Sequence, residues 1–130
     1  MTREEFRQLP HLVREHDVVA MGYGRNTVHK FVDCGVLVRV CPKGCGQARF
    51  QKKQLALLLK WEDCLEVAEF QRERPMLEAK AVQRWTGWSE ATLGNIATAG
   101  GLSFVKPPGA GKGKFLKAEV ARLIGLEECV

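Results

Sequence analysis

Residues 22–64 read GYGRNTVHKFVDCGVLVRVCPKGCGQARFQKKQLALLLKWEDC, and residues 87–129 read GWSEATLGNIATAGGLSFVKPPGAGKGKFLKAEVARLIGLEEC. A shift of 65 positions lays one stretch on the other without a gap. The agreeing positions are mostly glycines, prolines and apolar residues, and chance explains so dense a match poorly. One fold is therefore expected to occur twice. The main pairs are Leu12 and Leu77, Gly22 and Gly87, Thr27 and Thr92, Gly35 and Gly100, Leu37 and Leu102, Val40 and Val105, Pro42 and Pro107, Gly44 and Gly109, Phe50 and Phe115, Lys52 and Lys117, Ala56 and Ala121, and Cys64 and Cys129.

Each copy begins with two predicted helices. Residues 14–21 have the polar and apolar pattern of a short helix, which ends at a glycine-rich turn. Residues 25–34 place their apolar side chains on one helical face, and Gly35 suits a left-handed helix stop. In the second copy Ser89 is the expected N-cap of the matching helix, and Gly100 its stop.

A hairpin and a third helix are predicted to follow. The first copy has the alternating segment VLVRV, the loop CPKGCGQ and the segment ARF, and the second has LSFV, KPPGAGKG and KF. Each set reads as two strands around a loop rich in proline and glycine. The segments KKQLALLL and KAEVARLI are short amphipathic helices. The expected fold class is α+β, mainly α, with two tandem small modules that each carry a two-stranded hairpin.

The predicted boundaries are module 1 at residues 1–64, a linker or helix extension at 65–75, and module 2 at 76–130. The segment LEVAEFQRERP is charged and helix-prone up to its proline, which restarts the chain. It either extends the last helix of module 1 or links the modules.

The charge of the chain favours a polyanionic partner. The formal net charge is +5 and the sequence pI is about 9.1. Residues 23–60 contain 8 lysines and arginines against a single acid, Asp33. Such clustering is typical of nucleic-acid binding, although a solvated basic face gives the same pattern.

The sequence gives no sign of export or of membrane insertion. The first ten residues, MTREEFRQLP, lack the apolar core of a secretory signal. No apolar run is long enough to span a bilayer. Five cysteines are an odd count, and a reduced, cytoplasmic, nucleoid-associated protein with no membrane partner is the simpler expectation.

Helix, tight turn, helix, hairpin and helix is the order of a winged helix-turn-helix. Each copy resembles the excisionase/MerR-type winged-helix DNA-binding domain, over residues 12–60 and 77–126. The matching segments are GRNTVHKFVDCGVL with ARFQKKQLALLL, and SEATLGNIATAGGL with GKFLKAEVARLI. The resemblance implies that the second helix of a copy is a recognition helix and that the hairpin is a DNA-binding wing.

Module 1 offers a polar and basic surface for duplex DNA. The N-terminal part of a recognition helix enters the major groove, where arginine pairs with guanine and asparagine with adenine. A hairpin tip with arginine and lysine fits the minor groove or flanking phosphates, and its glycines Gly44 and Gly46 allow close backbone approach. The candidate DNA-binding residues are Arg25, Asn26, His29 and Lys30 of the helix, Arg39, Lys43, Gln47 and Arg49 of the wing, and Lys52 and Lys53 at the start of the third helix.

Module 2 departs from this pattern. Its second helix offers Glu90, Ala91, Gly94, Asn95 and Thr98 and no basic residue. Sequence reading is therefore assigned to module 1. Phosphate contact through the wing, or contact with a protein partner, is assigned to module 2. Its candidate DNA-binding residues are Asn95, Lys106, Lys112 and Lys114.

Metal binding and catalysis find little support in the sequence. Cys34, Cys41 and Cys45, with His29, are the available zinc ligands, but the three cysteines align with Ala99, Lys106 and Ala110. The fold is thus expected without these thiols, and no metal or other cofactor is predicted. The three histidines lack a recognisable nucleophile pattern, and GAGKGK lacks the phosphate-binding loop signature, so an enzyme is not expected.

The leading hypothesis is a duplex DNA-binding protein with tandem winged helix-turn-helix modules. It would be a minimal transcription regulator, or an excisionase-like or architectural factor, without the long coiled coil and sensor domain of full-length MerR-type regulators. A winged-helix protein-interaction adaptor and an RNA-binding protein are the alternatives. Association with a second copy of the chain is left open.

Overall fold

The elements of the computed structural model, which describes residues 1–106, 108–109 and 111–127, follow the sequence repeat. The first repeat comprises α1 (Arg3–Gln8), β1 (Leu12–Val13), α2 (Glu15–Ala20), α3 (Arg25–Asp33), β2 (Arg39–Val40), β3 (Arg49–Gln51), α4 (Lys52–Leu59) and a 3-10 helix (Glu62–Leu65). The second repeat comprises α5 (Val67–Gln71), β4 (Met76–Leu77), α6 (Ala79–Thr86), α7 (Glu90–Ala99), β5 (Phe104–Val105), β6 (Lys114–Leu116) and α8 (Lys117–Ile124). The prediction of a mainly helical α+β fold is confirmed.

The predicted helix ends are confirmed. The Ser89 hydroxyl accepts a hydrogen bond from the Thr92 amide at 3.2 Å and so caps α7. Gly100 ends the same helix with a φ of 86°, in the left-handed region where glycine carries no steric penalty. Gly35 does the same after α3 with a φ of 81°.

Each repeat contains a three-stranded antiparallel sheet. The strand orders are β1-β3-β2 and β4-β6-β5, so both predicted hairpins form. The third strand of each sheet was not predicted: β1 pairs with β3 and β4 with β6, the second strand of each hairpin. These added strands have two residues each, which is too short for an alternating pattern to show in the sequence.

Residues 65–75 contain α5, the second copy of α1. Phe6 of α1 and Phe70 of α5 are both fully buried, and each packs in the core of its own repeat. The two phenylalanines lie 64 positions apart rather than 65. The first helix, the first strand and the second helix of each repeat are therefore offset by 64 residues, as the buried pair Val18 and Val82 also shows. The offset becomes 65 at Gly22 and Gly87, in the turn after the second helix.

Lys52 does not clamp phosphate as predicted, because its side chain is fully buried. Its Nζ donates to the carbonyl oxygens of Arg7 at 3.1 Å and Leu9 at 2.9 Å, and it lies 5.2 Å from the Phe6 ring centroid. Lys117 repeats the arrangement in the second repeat, where its Nζ donates to the carbonyl oxygens of Gln71, the last residue of α5, and Glu73. A buried ammonium is tolerated only with such partners, so both lysines tie the N-terminal helix of a repeat to its last helix.

The two repeats pack against each other. Leu12 and Val40 of the first repeat belong to the hydrophobic cluster that is otherwise built from the second. The His11 amide donates to the Trp85 carbonyl at 3.0 Å, and the two rings lie 5.1 Å apart. Hydrophobic packing and backbone hydrogen bonding thus continue from one repeat into the other.

Within the described residues, no helix combines the length and the apolar character needed to cross a bilayer.

Candidate functional site

A cationic cleft of about 590 Å³ lies between α2, α3 and the β2–β3 hairpin of the first repeat. We call it the basic cleft. Glu15 is the only acid among its lining residues, whereas four arginines and two histidines line it. These basic residues are Arg14, His16, Arg25, His29, Arg39 and Arg49.

Helix α3 supplies one wall of the basic cleft. Val28 is buried in the first core and holds the helix in place. Arg25 and His29 lie four residues apart, so they share one face and line the cleft together. Arg25 is 83% exposed, and its Nε lies 4.0 Å from the Glu15 carboxylate. An exposed pair at that distance contributes little to stability, so the guanidinium is available to a ligand.

Strand β2 supplies the facing wall. Val40 points into the core, and the strand alternation turns its neighbour Arg39 outward. The Nη2 of Arg39 donates to the Nδ1 of His29 over 3.4 Å. This bond requires His29 to carry no proton on Nδ1. The two side chains therefore bridge the helix and the hairpin across the cleft.

Arg49 on β3 is the least exposed cation of the basic cleft. Its Nη1 donates to the Leu12 carbonyl at 3.3 Å, which fixes the guanidinium against β1. Burial, and then the charge of Arg14, lower the pKa of Arg49. An arginine remains protonated at neutral pH despite such a shift. The cleft thus holds a fixed positive charge on its floor.

Five predicted residues meet in the basic cleft: Arg25, His29, Arg39, Gln47 and Arg49. The other predicted residues of the first repeat lie outside its lining. Asn26 and Lys30 are exposed on α3, Lys43 is exposed in the β2–β3 loop, Lys53 is half-buried on α4, and Lys52 is buried.

Arg14 and His16 line the basic cleft and were missed by the sequence reasoning. Arg14 precedes α2, and the N-terminus of that helix lies beside the N-terminus of α3. The repeat gave no hint, because the counterpart of Arg14 is the acidic Glu78, which likewise precedes the second helix of its repeat. The usable signal was the predicted order of helix, tight turn and helix, because this order brings the start of α2 close to the start of α3.

The β2–β3 loop docks on the second repeat, although the sequence predicted it as a free wing tip. Gly44 has a φ of 92°, and a Cβ there would overlap the backbone carbonyl of Asn95 on α7. A Cβ on Gly101 would likewise overlap the carbonyl of Lys43, and Cys45 packs against the second core. Gly44 does permit close backbone approach, but its partner is α7.

The second repeat has a groove in the corresponding place, with a different chemistry. This apolar groove measures about 350 Å³ and lies between α7 and the β5–β6 hairpin. Each basic residue of α3 and β2 in the basic cleft is replaced in the groove by an uncharged or acidic residue. Glu90 stands for Arg25, Gly94 for His29 and Phe104 for Arg39, while the floor residues Leu93 and Phe115 stand for Val28 and Phe50.

The predicted DNA-binding residues of the second repeat lie around this groove rather than in it. Lys106 and Lys112 are exposed on the hairpin. Lys114 is half-buried and forms an ion pair with Glu78 at 3.0 Å, which lowers the pKa of that carboxyl. Asn95 is exposed, but its backbone carbonyl faces the β2–β3 loop.

The cysteines of the β2–β3 loop form hydrogen bonds within the loop. The Cys41 thiol donates to the Cys45 carbonyl at 3.5 Å, and the Cys45 thiol donates to the Gln47 carbonyl at 2.9 Å. Burial, and then hydrogen bonding of the Cys41 thiol to Cys45, raise the pKa of Cys41 and favour the thiol over the metal-binding thiolate. Across the described ranges, no group of three or more His, Cys, Asp or Glu side chains is arranged to hold a metal ion.

Comparison of the chain with models of protein families, with curated proteins and with solved structures finds no match.

Proposed function

We propose that this chain binds duplex DNA and that its first repeat is a winged helix-turn-helix module. In this proposal α3 is the recognition helix in the major groove, and the β2–β3 hairpin is the wing beside it. The sugar–phosphate backbone then lies along the basic cleft, between α3 and the β2–β3 hairpin. The protein would act as a minimal transcription regulator or as an excisionase-like architectural factor.

The observation that carries the proposal is the charge of the basic cleft. Four arginines line it against one carboxylate, that of Glu15, and α3 forms one of its walls. Neutralisation of phosphates by such cations releases condensed counterions, which drives binding to duplex DNA. In the second repeat the counterparts of Arg25 and Arg39 are Glu90 and Phe104, and of the four arginines only Arg49 has a basic counterpart, Lys114. The shared fold alone therefore does not account for the charge of the basic cleft.

The cations divide into two roles. Arg25 and Asn26 occupy the first turn of α3, which is the part of a recognition helix that meets base edges. Arginine reads guanine and asparagine reads adenine through paired hydrogen bonds. Arg14, Arg39 and Arg49 lie on the flanking elements, so we assign them to phosphates.

This wing would differ from one that contacts DNA through its tip. The tip around Gly44 lies against α7, so the strands, through Arg39 and Arg49, would supply the contacts. Lys43 remains exposed at the edge of the docked loop and is assigned to a neighbouring phosphate.

The test is selection from a random duplex library, followed by fluorescence anisotropy on the selected duplex at increasing salt. Three or four phosphate contacts give a slope of log affinity against log salt of about −3 to −4. Arg39→Ala should reduce the magnitude of that slope by about 0.9 and weaken all sequences alike. Arg25→Ala should instead relax the preference at one or two base pairs.

Arg122→Ala is the matched control, because Arg122 is exposed on α8 and does not line the basic cleft. It removes the same formal charge and should change affinity far less than Arg39→Ala. Equal losses for the two variants would mean that net charge alone drives binding. Tighter binding to a structured RNA than to any duplex, or no salt-sensitive binding, would refute the proposal.

A further inference from the structure

The apolar groove of the second repeat is a preformed slot. Buried Leu93 and Phe115 form its floor, and the small residues Gly94 and Ala97 leave the α7 wall open. Phe104 forms the facing wall and remains 51% exposed. A large apolar side chain that stays half in water beside a groove marks a candidate interaction surface.

Phe104 is held in position without being buried. Its ring lies 5.1 Å from the Phe115 ring at an interplanar angle of 58°, and it also packs on Gly113, where a Cβ would overlap it. Gly113 is buried beneath the ring. A wall fixed in this way loses little conformational entropy when a ligand enters.

The charges around the apolar groove argue against DNA as its occupant. Glu90 lines the groove at the start of α7, in the position that Arg25 holds in the first repeat. No cation is among the residues that line it in the described part of the chain. A carboxylate at the mouth of the groove repels phosphate, so a nucleic-acid backbone fits poorly there.

The hairpin side of the apolar groove is cationic. Lys106 directly follows strand β5, and Lys112 lies two positions before the first residue of strand β6. Both lysines are exposed. An occupant with acidic residues on this side gains complementary charge, which favours association and disfavours basic partners.

The same charges argue against a second copy of this chain that docks through its exposed leucines. Leu57 on α4 is the most exposed large apolar side chain among the described residues, at 56%. It is flanked by Lys53 and Lys60. Insertion of Leu57 into the groove of another copy would bring these lysines toward the lysines of the β5–β6 hairpin.

We propose that the apolar groove binds a short segment of another protein, which inserts one large apolar side chain between α7 and Phe104 and directs acidic residues toward Lys106 and Lys112. The partner is thus an acidic segment with an apolar anchor. This inference does not depend on DNA binding by the first repeat, and the two surfaces give the chain one nucleic-acid face and one protein face.

The experiment is a titration of the isotope-labelled full chain with two pools of capped peptides, followed by NMR. Each peptide has a central Leu, Phe or Met. One pool flanks it with Asp and Glu, and the other with Lys and Arg. The acidic pool should shift the amide resonances of Gly94, Ala97 and Phe104. The basic pool should bind about tenfold more weakly, because it replaces two modest attractions to Lys106 and Lys112 with repulsions.

Gly94→Leu fills the apolar groove and should weaken binding of the acidic pool by at least about tenfold, since the anchor loses its buried site. Ala99→Leu is its matched control, because Ala99 is exposed on α7 outside the groove lining. Lys106→Glu should weaken the acidic pool and strengthen the basic one. If Gly94→Leu disturbs the fold, Phe104→Ala removes the opposite, exposed wall and should give the same loss.

Several results would overturn the proposal. Absence of shifts with either pool, or equal affinity for both, contradicts the proposed occupant. Dimerisation of the unliganded chain that Gly94→Leu abolishes would show that a second copy covers the groove. A loss of duplex DNA affinity in Gly94→Leu, without peptide binding, would assign the groove to DNA.

Discussion

Stability should fall in mild acid because of one buried histidine at the junction of the repeats. His11 is only 3% exposed, and its Nε2 lies 2.5 Å from the Leu65 carbonyl oxygen. The pKa of His11 is lowered to about 4, chiefly by burial and also by the charges of Lys52 and Arg84, while the bond to Leu65 acts in the opposite direction. The folded protein therefore holds this imidazole neutral at pH 5.

The sign follows from proton uptake. An unfolded histidine has a pKa of about 6.5, so between pH 6.5 and pH 4 the unfolded chain binds more protons at His11 than the folded chain. The contribution to stability is complete above about pH 6.5 and is lost as the pH falls toward 4. With these two pKa values the loss between pH 7 and pH 5 is about 2 kcal/mol.

Urea denaturation at pH 7 and pH 5 measures this loss. The His11→Gln variant cannot titrate at this position, so its stability should change between the two pH values by about 2 kcal/mol less than that of the wild type. The exposed His16 provides the control, and His16→Gln should keep the wild-type dependence. If His11→Gln keeps the wild-type difference between the two pH values, the reasoning from burial is refuted.

Three further predictions concern the buried lysine, the docked loop and the missed arginine. Lys52→Met should destabilise the fold by about 2–4 kcal/mol, seen as a lower urea midpoint, because two backbone carbonyls lose their charged donor. Gly44→Ala should lower the free energy of unfolding by about 1–3 kcal/mol, because Gly44 has a positive φ and a Cβ there clashes with Asn95. Gly46→Ala is the control and should be close to neutral, because a Cβ at Gly46 meets open space. Equal effects of the two substitutions would contradict the docking of the loop. Arg14→Ala should leave the urea midpoint near that of the wild type and reduce the magnitude of the salt slope for duplex binding by about 0.9, and an unchanged slope would remove Arg14 from the interface.

The parts of the fold that were predictable are those where the repeat is gapless. Helices α3 and α7, both hairpins and the last helix of each repeat lie at a constant offset of 65 residues. Glycines at fixed positions marked the helix ends, because few other residues adopt a positive φ. Helices α1 and α5 lie at an offset of 64, and their short strands have no periodicity, so local pattern could not detect them.

The side-chain environment was harder to predict than the backbone. A lysine at the first turn of an amphipathic helix is normally exposed, so Lys52 was assigned to phosphate. Its recurrence as Lys117, among shared positions that are otherwise mostly apolar or glycine, was the available sign of a structural role. The docking of the β2–β3 loop could not be inferred, because packing between repeats depends on tertiary geometry that the sequence of one repeat does not contain.

We expect a hairpin loop to dock on a neighbouring repeat only within one chain, and not from one chain to the next. The β2–β3 loop packs on α7 and on Gly101, where a Cβ would overlap the Lys43 carbonyl. The counterpart of Gly101 in the first repeat is Val36. We therefore expect that a second chain does not dock a hairpin on α3 in the same way, since Val36 carries a side chain where Gly101 has none. Head-to-tail contacts that repeat without closing produce open filaments, and Val36 blocks this route. Sedimentation velocity at rising concentration should show no progressive series of larger species, and such a series would contradict the expected block at Val36.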